Sequence, residues 1–503
     1  MADYTGTSGL AQEGGCWCDG RAADYGAAIV LLQQHAPSTI SVAANVAPDN
    51  PTLGLMLPAT PLHTLLLEAL NCPLVATSGN RSDEPICLEA DEAQARLGDI
   101  ADLVLSHNRP IARHADDSIA VILHGEPRLW RRARGYAPAP VLLRHAMPCI
   151  LALGAQMKNT VALSVGHQVF LSQHIGDLDA IESQAAFARV VADLTRLYEA
   201  TPVAIAHDMH PDYYTTTFAK ELSRTNGVQR WPMQHHHAHF AACLAEHQAE
   251  GEALGVIWDG TGFGLDETIW GGECLYGTVA ASRRVASLRS IPLLGMEAAI
   301  REPRRVALAL LAALDEPALW DDATLSPVRS FTANERSVLR HMHTRNLNTI
   351  ATSSAGRLFD GVAALLGLCH VASFEGEAAS LLEHAADPYE RGTYPLALVG
   401  KELDWRPTIA ALLADLRRGV NVAVISARFH TTLVTALVAA VQQFDPPLVV
   451  LSGGCFQNRL LTERTATALE ATGMRVLLPR LVPPNDGGIS LGQVAAVAAQ
   501  LRG

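Results

Sequence analysis

Several things are scarce in this sequence, and each absence narrows the field. No block of Lys and Arg stands out, and the formal net charge is −13, from 38 Lys plus Arg against 51 Asp plus Glu. Non-specific nucleic-acid binding through a basic surface is therefore not expected, and no DNA partner is read, although a local basic groove stays open. No stretch of 18 residues is free of interruption by polar side chains. The best approach to one, residues 422–441, contains Arg428 and His430 and reads as a buried helix, so no membrane partner is expected. The N-terminus lacks a basic region followed by an apolar one, and no signal peptide is expected. The cysteines number 9, an odd count spread along the chain that leaves no complete disulfide framework. Cys16 and Cys18 form a C-x-C with no second pair nearby, weak ground for a zinc site. A reducing cytoplasm is the simplest compartment. No internal repeat is found.

What is present is ample apolar content, 49% of 503 residues, enough for two to four domains with real cores. Residues 1–27 are Gly-rich without helical or strand periodicity and read as a loose tail. From Ala28 the pattern alternates. Residues 29–32, 74–76, 100–105 and 118–123 read as strands and 60–70 as an amphipathic helix. The Pro-containing stretch from Arg131 to about Met147 reads as a linker. A second, larger unit opens with strand 150–153, followed by a meander (161–165, 169–172), helix 181–199, strand 203–206 and a histidine-bearing helix. It ends with strand 448–451, helix 458–472, strand 475–478 and helix 489–500. Residues 316–350 and 380–405 are less periodic and read as helical insertions and loops. The expected class is α/β, with a tail at 1–27, a first unit at 28–147 and a second at 148–503, divided into lobes near residue 290.

The stretch His235-His236-His237-Ala238-His239 is the most informative. His235 and His239 are one helical turn apart, so both rings can face one point, as a divalent metal requires of two nitrogen ligands. A lone pair at this spacing is ordinarily structural. Four histidines in five residues, followed by Asp259 after the apolar run 254–258, point to a metal instead. Asp259 is expected at a strand end, and Asp486 precedes Gly487-Gly488 and a helix. Two His with one or two Asp make a mixed N/O site open to phosphate oxygens. His236 and His237 point elsewhere on a helix and are not counted as ligands.

Other motifs fit a nucleotide cleft. Ser452-Gly453-Gly454 lies between a strand and a helix, where backbone amides and a helix N-terminus can cradle phosphate. Taken alone it reads as a tight turn. Together with 154–160, 259–264 and 486–488, all at strand–turn junctions, it outlines a cleft between two lobes. In the first unit, Ser78 and Asn80 in a post-strand turn, with Arg131, Arg132 and Arg134, offer polar and cationic contacts to an anion. Asp116-Asp117-Ser118 reads as a loop ahead of a strand. Ser353-Ser354 caps an apolar helix from which Arg357 and Asp360 point off the core, and Glu375 and Glu377 flank a glycine.

Taken together these residues resemble the carbamoyltransferase HypF family, which matures nickel–iron hydrogenases. The first unit is similar to a YrdC-like domain through TSGNRSDEPI (77–86), RPIARHADDSI (109–119) and RRARGYAPAP (131–140). The second is similar to that family's two-lobed domain of the actin-like ATPase (ASKHA) superfold. The matching strings are LGAQMKNT (153–160), FLSQHIGDL (170–178), HDMHPDY (207–213), HHHAHFAACLAEH (235–247), DGTGFG (259–264), WGGECL (270–275), SSAGRLFDGVAALLG (353–367), FEGEAA (374–379), SGGCFQNRLL (452–461) and VPPNDGGISLGQ (482–493). The resemblance implies that carbamoyl phosphate and ATP yield carbamoyl-adenylate and pyrophosphate. The carbamoyl group would then pass to the C-terminal cysteine of a HypE-like hydrogenase maturation partner, as precursor of a cyanide ligand. It implies catalytic and metal-binding roles for His235, His239, Asp259 and Asp486, holding Fe or Zn, with Mg accompanying ATP. The nucleotide site would be lined by Gly154, Lys158, Asn159, Thr160, Gly260, Gly262, Gly453, Gly454 and Asn458, and the adenylate in the YrdC-like part held by Ser78, Asn80, Arg131 and Arg132. No RNA binding by the YrdC-like part is expected. The departures are an absent acylphosphatase domain and zinc-finger module, a YrdC-like match that begins mid-domain, Asp83 in place of the usual Gly, and Arg304 in place of a bulky Trp. Two alternatives follow: an O-carbamoyltransferase acting on a small-molecule hydroxyl, and a truncated inactive remnant that binds only metal and nucleotide.

Overall fold

A computed structural model describes residues 28–33, 42–48, 50–81, 84–314 and 316–502; the expected tail, Cys16, Cys18 and Asp83 lie outside them. Strands and helices of the described residues form three sheets, of four, five and nine strands.

In the four-stranded sheet, Ala28–Gln33 pairs antiparallel with Thr52–Leu55 and parallel with Ser118–Leu123, which pairs in turn with Glu126–Arg131. Helix Pro61–Leu70 begins where a capped start is expected: the Thr60 side chain accepts the His63 N–H, and Pro61 takes the first position. None of its side chains is buried. The expected strands at 74–76 and 100–105 do not form. Val75, Leu103 and Leu105 are 72%, 91% and 79% exposed, and among the described residues no strand pairs with these segments. A short apolar run does not by itself make a strand.

The five-stranded sheet runs Pro140–Met147, Ala162–Leu171, Ile150–Ala152, Ala204–Asp208, Gln229–Met233. Its first strand is the stretch read as a linker. The two expected strands of the meander are one strand, Ala162–Leu171. Gly166, at φ +61°, lies between the two expected strands without ending the ladder, and the pairing with the neighbouring strand shifts register between Leu142 and Met147.

The nine-stranded sheet begins with the chain at Ala253–Phe263, which lies between antiparallel Ile269–Gly277 and parallel Val449–Ser452. The changeover between sheets therefore falls between Met233 and Ala253, ahead of the division expected near residue 290. Helices Pro303–Ala312, Ala355–Leu365 and Val422–Gln442 bury apolar faces in one large core beside this sheet. Among the described residues, Val422–Gln442 alone has the length and apolar composition to cross a membrane; its Ile425, Phe429, Leu433 and Leu437 lie in that core. The less periodic 316–350 contains helix Ala333–Arg345, set by a capping box between Thr332 and Glu335, with Leu339 its single buried residue.

The last helix, Ile489–Arg502, returns to the five-stranded sheet and crosses helix His235–Glu246. A Cβ on Gly492 would stand 1.8 Å from the Ala238 carbonyl oxygen, so only glycine permits this approach. That crossing brings the two ends of the second unit together.

Candidate metal centre

Helix His235–Glu246 starts directly after strand Gln229–Met233, capped by the Gln234 side chain, which accepts the His237 N–H at 2.8 Å. The run from His235 to Ala245 is wholly buried. Asp259 reaches the same place from the neighbouring sheet. It does not stand at a strand end as expected, because the strand continues to Phe263. The pairing with Ile269–Gly277 shifts register between Trp258 and Gly262, and this irregularity frees Asp259 from the ladder. Asp486 opens a single 3-10 turn capped by Asn485, whose Oδ1 accepts the Gly487 N–H at 3.0 Å.

The four side chains converge. His235 Nε2 lies 3.2 Å from Asp259 Oδ2 and 3.5 Å from Asp486 Oδ1; His239 Nε2 lies 3.5 and 3.6 Å from the same two atoms. His239 Nε2 is buried without a hydrogen-bond partner. Four donors sharing one cation tetrahedrally at about 2.1 Å would stand about 3.4 Å apart, so these spacings fit a metal ion. Two imidazoles and two carboxylates suit Zn or Fe.

Electrostatics agree with the geometry. Burial works against the charge on both histidines, yet the carboxylates of Asp486 and Asp208 hold His235 well above the usual imidazole range, and Asp259 and Asp486 raise His239. Burial likewise opposes ionisation of Asp259 and Asp486, but the two histidines hold both carboxyls low.

The expected nucleotide residues surround this centre unevenly. Asp259 Oδ1 accepts the Gly454 N–H at 2.9 Å, which joins the Ser452-Gly453-Gly454 turn to the cluster. Gly453, at φ +100°, leaves no room for a Cβ against the Trp258 carbonyl oxygen, 2.2 Å away. The Gly154 N–H donates to Gln493 Oε1 at 2.9 Å, and the Thr160 hydroxyl meets Gly487 O and Ser490 Oγ at 3.0 and 2.7 Å. These bonds tie the 154–160 turn to the Asp486 loop. Lys158 forms an ion pair with Glu375 from the opposite side of the cleft. Gly260 lies against Arg357 and Glu375, while Gly262 packs on the His235 and His236 rings. Asn159 is buried and donates to Leu153 O and Ala155 O; Asn458 caps helix Arg459–Ala471 and contacts His430. The Asn159 Oδ1 is buried without a hydrogen-bond partner.

The first-unit residues do not belong to the four-donor cluster, although Trp130 O, next to Arg131, accepts from the Asn485 side chain at 3.2 Å. Ser78 is exposed, and Asn80 donates to Arg81 O and Glu84 O. Arg131 is half-buried, whereas Arg132 is 5% exposed and donates to Tyr136 O and Ala139 O at 3.0 and 2.6 Å. Asp117 pairs with Arg134. Arg357 and Asp360, expected to point off the core, form a buried ion pair at 2.8 Å. Sequence reasoning assigned no role to Asp208, which is hydrogen-bonded to His235, nor to the pairing of Lys158 with Glu375. The signal available for the former was its place in the string HDMHPDY (207–213), since the expected strand stopped at residue 206.

Fold and side-chain cluster thus define an α/β protein in which two His and two Asp side chains that could hold a metal ion converge where its two larger sheets meet. Family models match as "HypF Kae1-like domain" over residues 145–246, as "Carbamoyltransferase, Kae1-like Domain, second subdomain" over 255–493, and as the Sua5–YciO–YrdC family, described as telomere recombination, over 22–133. The chain belongs to the carbamoyltransferase HypF family. It is 42% identical to carbamoyltransferase HypF of Synechocystis sp., over 93% of this chain and 63% of that protein. It is 36% identical to a carbamoyltransferase HypF homolog of Cupriavidus necator, over 70% of this chain and 92% of that protein. A crystal structure of full-length HypF in the phosphate- and nucleotide-bound form superposes with a TM-score of 0.89 at 38% identity, covering 95% of this chain and 75% of that one. The chain thus spans less than two thirds of the Synechocystis relative's length. These relatives account for the fold: a YrdC-like part followed by a Kae1-like domain of the ASKHA type.

Proposed function

We propose that this chain is an ATP- and metal-dependent carbamoyltransferase with a YrdC-like unit at 28–147 and a Kae1-like unit at 148–503. Water cleaves carbamoyl phosphate to carbamate and phosphate; a carbamate oxygen then attacks the α-phosphorus of ATP, forming carbamoyl-adenylate as the bond to pyrophosphate breaks. The carbamoyl carbon then passes from adenylate oxygen to the C-terminal cysteine sulfur of a HypE-like maturation partner; AMP leaves and the thiol proton is lost. The observation that carries this reading is the four-donor cluster with spacings of 3.2–3.6 Å, set beside glycine-rich turns.

His235, His239, Asp259 and Asp486 would hold Fe or Zn, which when bound supplies Lewis-acid polarisation and a template for oxygens. The residues of this chain do the rest. The Ser452-Gly453-Gly454 turn and the 154–160 turn line a cleft for the nucleotide, with Mg accompanying ATP. Lys158 is held charged by Glu375 and Asp486 despite burial, so it is a ready cation for phosphate. In the YrdC-like part, Ser78, Asn80 and Arg131 present polar groups to the adenylate, while Arg132 supports the turn that follows the sheet. The test is ATP–pyrophosphate exchange dependent on carbamoyl phosphate, run with Fe or Zn and with His239→Ala as control. Exchange lost in the variant supports the reading; no exchange by the unmodified chain, with ATP and metal bound, overturns it.

A further inference from the structure

We propose that Asp208 is a positioning residue for the metal centre: it fixes which nitrogen of His235 carries a proton and holds the ring in place to bind the cation. This rests on the reading that the four donors bind one ion. Strand Ala204–Asp208 runs parallel to Gln229–Met233, with Asp208 opposite Met233, so its carboxylate emerges at the same sheet end as Gln234 and His235. Oδ2 stands 2.7 Å from His235 Nδ1, and Oδ1 accepts the His210 N–H at 2.9 Å. Both partners are sealed from solvent, at 1% and 0% exposure.

A carboxylate can only accept in such a contact, so Nδ1 must bear the proton. Nε2, on the far side of the ring, then meets Asp259 and Asp486, where an unprotonated nitrogen ligates a metal. The ring has little freedom to choose otherwise. On its carbon edge the Gly262 backbone is so near that a Cβ there would lie 2.8 Å from His235 Cδ2. A carboxylate, imidazole and metal in line is a recurrent way to fix tautomer and raise ligand basicity. Asp208 therefore acts through His235 and touches no substrate.

The experiment titrates Zn(II) into metal-free unmodified protein, Asp208→Asn and His239→Ala, with circular dichroism checking the fold and the Co(II) absorption spectrum reporting ligand geometry. The expected result is a loss of affinity of about 10- to 100-fold in Asp208→Asn, with an altered Co(II) spectrum. His239→Ala should lose more. If Asp208→Asn folds and binds Zn(II) within about threefold of the unmodified protein while His239→Ala does not, the positioning role is overturned. If His239→Ala binds normally, the four-donor reading fails instead. A second measurement needs neither variant of Asp208: imidazole 15N NMR of the unmodified protein, with His235 assigned by the signal missing in His235→Asn. A hydrogen-bonded proton on Nδ1, without metal and with Zn(II), supports the proposal; Nδ1 without a proton overturns it.

Discussion

At the histidine helix, four ionisable side chains aim their donor atoms at one another, and His239 Nε2 has no hydrogen bond at all. Beside the four-stranded sheet, Arg132 is as well buried, but two of its bonds go to the carbonyls of Tyr136 and Ala139, and Ser78 faces solvent. Both regions looked equally polar in sequence. The difference lies in what the polar groups have left to give. Buried polar atoms are nearly always satisfied, so His239 Nε2, buried without a partner beside two carboxylates, is a candidate ligand atom, whereas Arg132 spends Nη2 on two carbonyls and keeps Nη1 buried with no carboxylate partner. The same contrast runs through the helices: Ala355–Leu365 is buried on every side chain, Pro61–Leu70 on none.

That contrast breaks most decisively at a ligand. His239→Ala removes a donor that nothing replaces, and its affinity for Zn(II) should fall by well over the roughly 100-fold ceiling of a lost outer partner, read by competition with a chromophoric chelator. Next comes the packing that assembles the site. Gly492→Val would drive a side chain into the Ala238 carbonyl, so urea unfolding should show a loss of about 3 kcal/mol or more, with metal binding impaired as the two helices separate. A change under about 1 kcal/mol would mean that the crossing has slack and does not fix the site.

The polarity of a site was readable in the sequence, but its wiring was not. The spacing of His235 and His239 follows from one helical turn and needs no tertiary knowledge. Asp259 was placed in the right strand yet at its end, because a bulge depends on the neighbour's register and leaves no local trace. Asp208 fell beyond the expected strand 203–206 and received no role; the parallel pairing of Ala204–Asp208 with Gln229–Met233 brings it to His235. The strands expected at 74–76 and 100–105 failed for the complementary reason: apolar composition was present, and the sheet partners that would have used it were not.

Glu273 allows the comparison to be made within the larger unit. Burial pushes its carboxyl up to about 7, against the Arg284 guanidinium, the Ser353 hydroxyl and the Gly271 and Gly272 amides that favour the anion. A carboxyl with a raised folded pKa binds its proton more tightly when folded, so its contribution is full below about 4.5 and is lost as pH rises through about 7. The expected slope amounts to about 3 kcal/mol between pH 4.5 and 8. Burial raises Glu246 and Glu383 to about 7 as well, so urea unfolding across that range should show a slope in the unmodified chain that Glu273→Gln reduces by about that amount. Arg132→Ala is the scaffold counterpart. It should cost about 1–3 kcal/mol of stability by leaving carbonyls unpaired, yet leave ATP–pyrophosphate exchange per folded molecule unchanged. A selective loss of exchange would return Arg132 to the adenylate site.

The smallest effect is expected at helix Pro61–Leu70, and its smallness is the point. Leu62 and Leu65 are 53% and 64% exposed, so replacing Leu65 with Glu removes little buried area and creates no cavity. Surface substitutions of this kind change stability by within about 0.5 kcal/mol. Leu65→Glu should therefore unfold at the same urea concentration as the unmodified chain, and its more polar helix should also lower any tendency to associate. A loss of several kcal/mol would show that the Leu62, Leu65 and Leu66 face is covered in solution. In that case the contrast between a packed catalytic unit and a sparsely packed first sheet would belong to the described residues alone, and the first unit would have a core as closed as the one around His235.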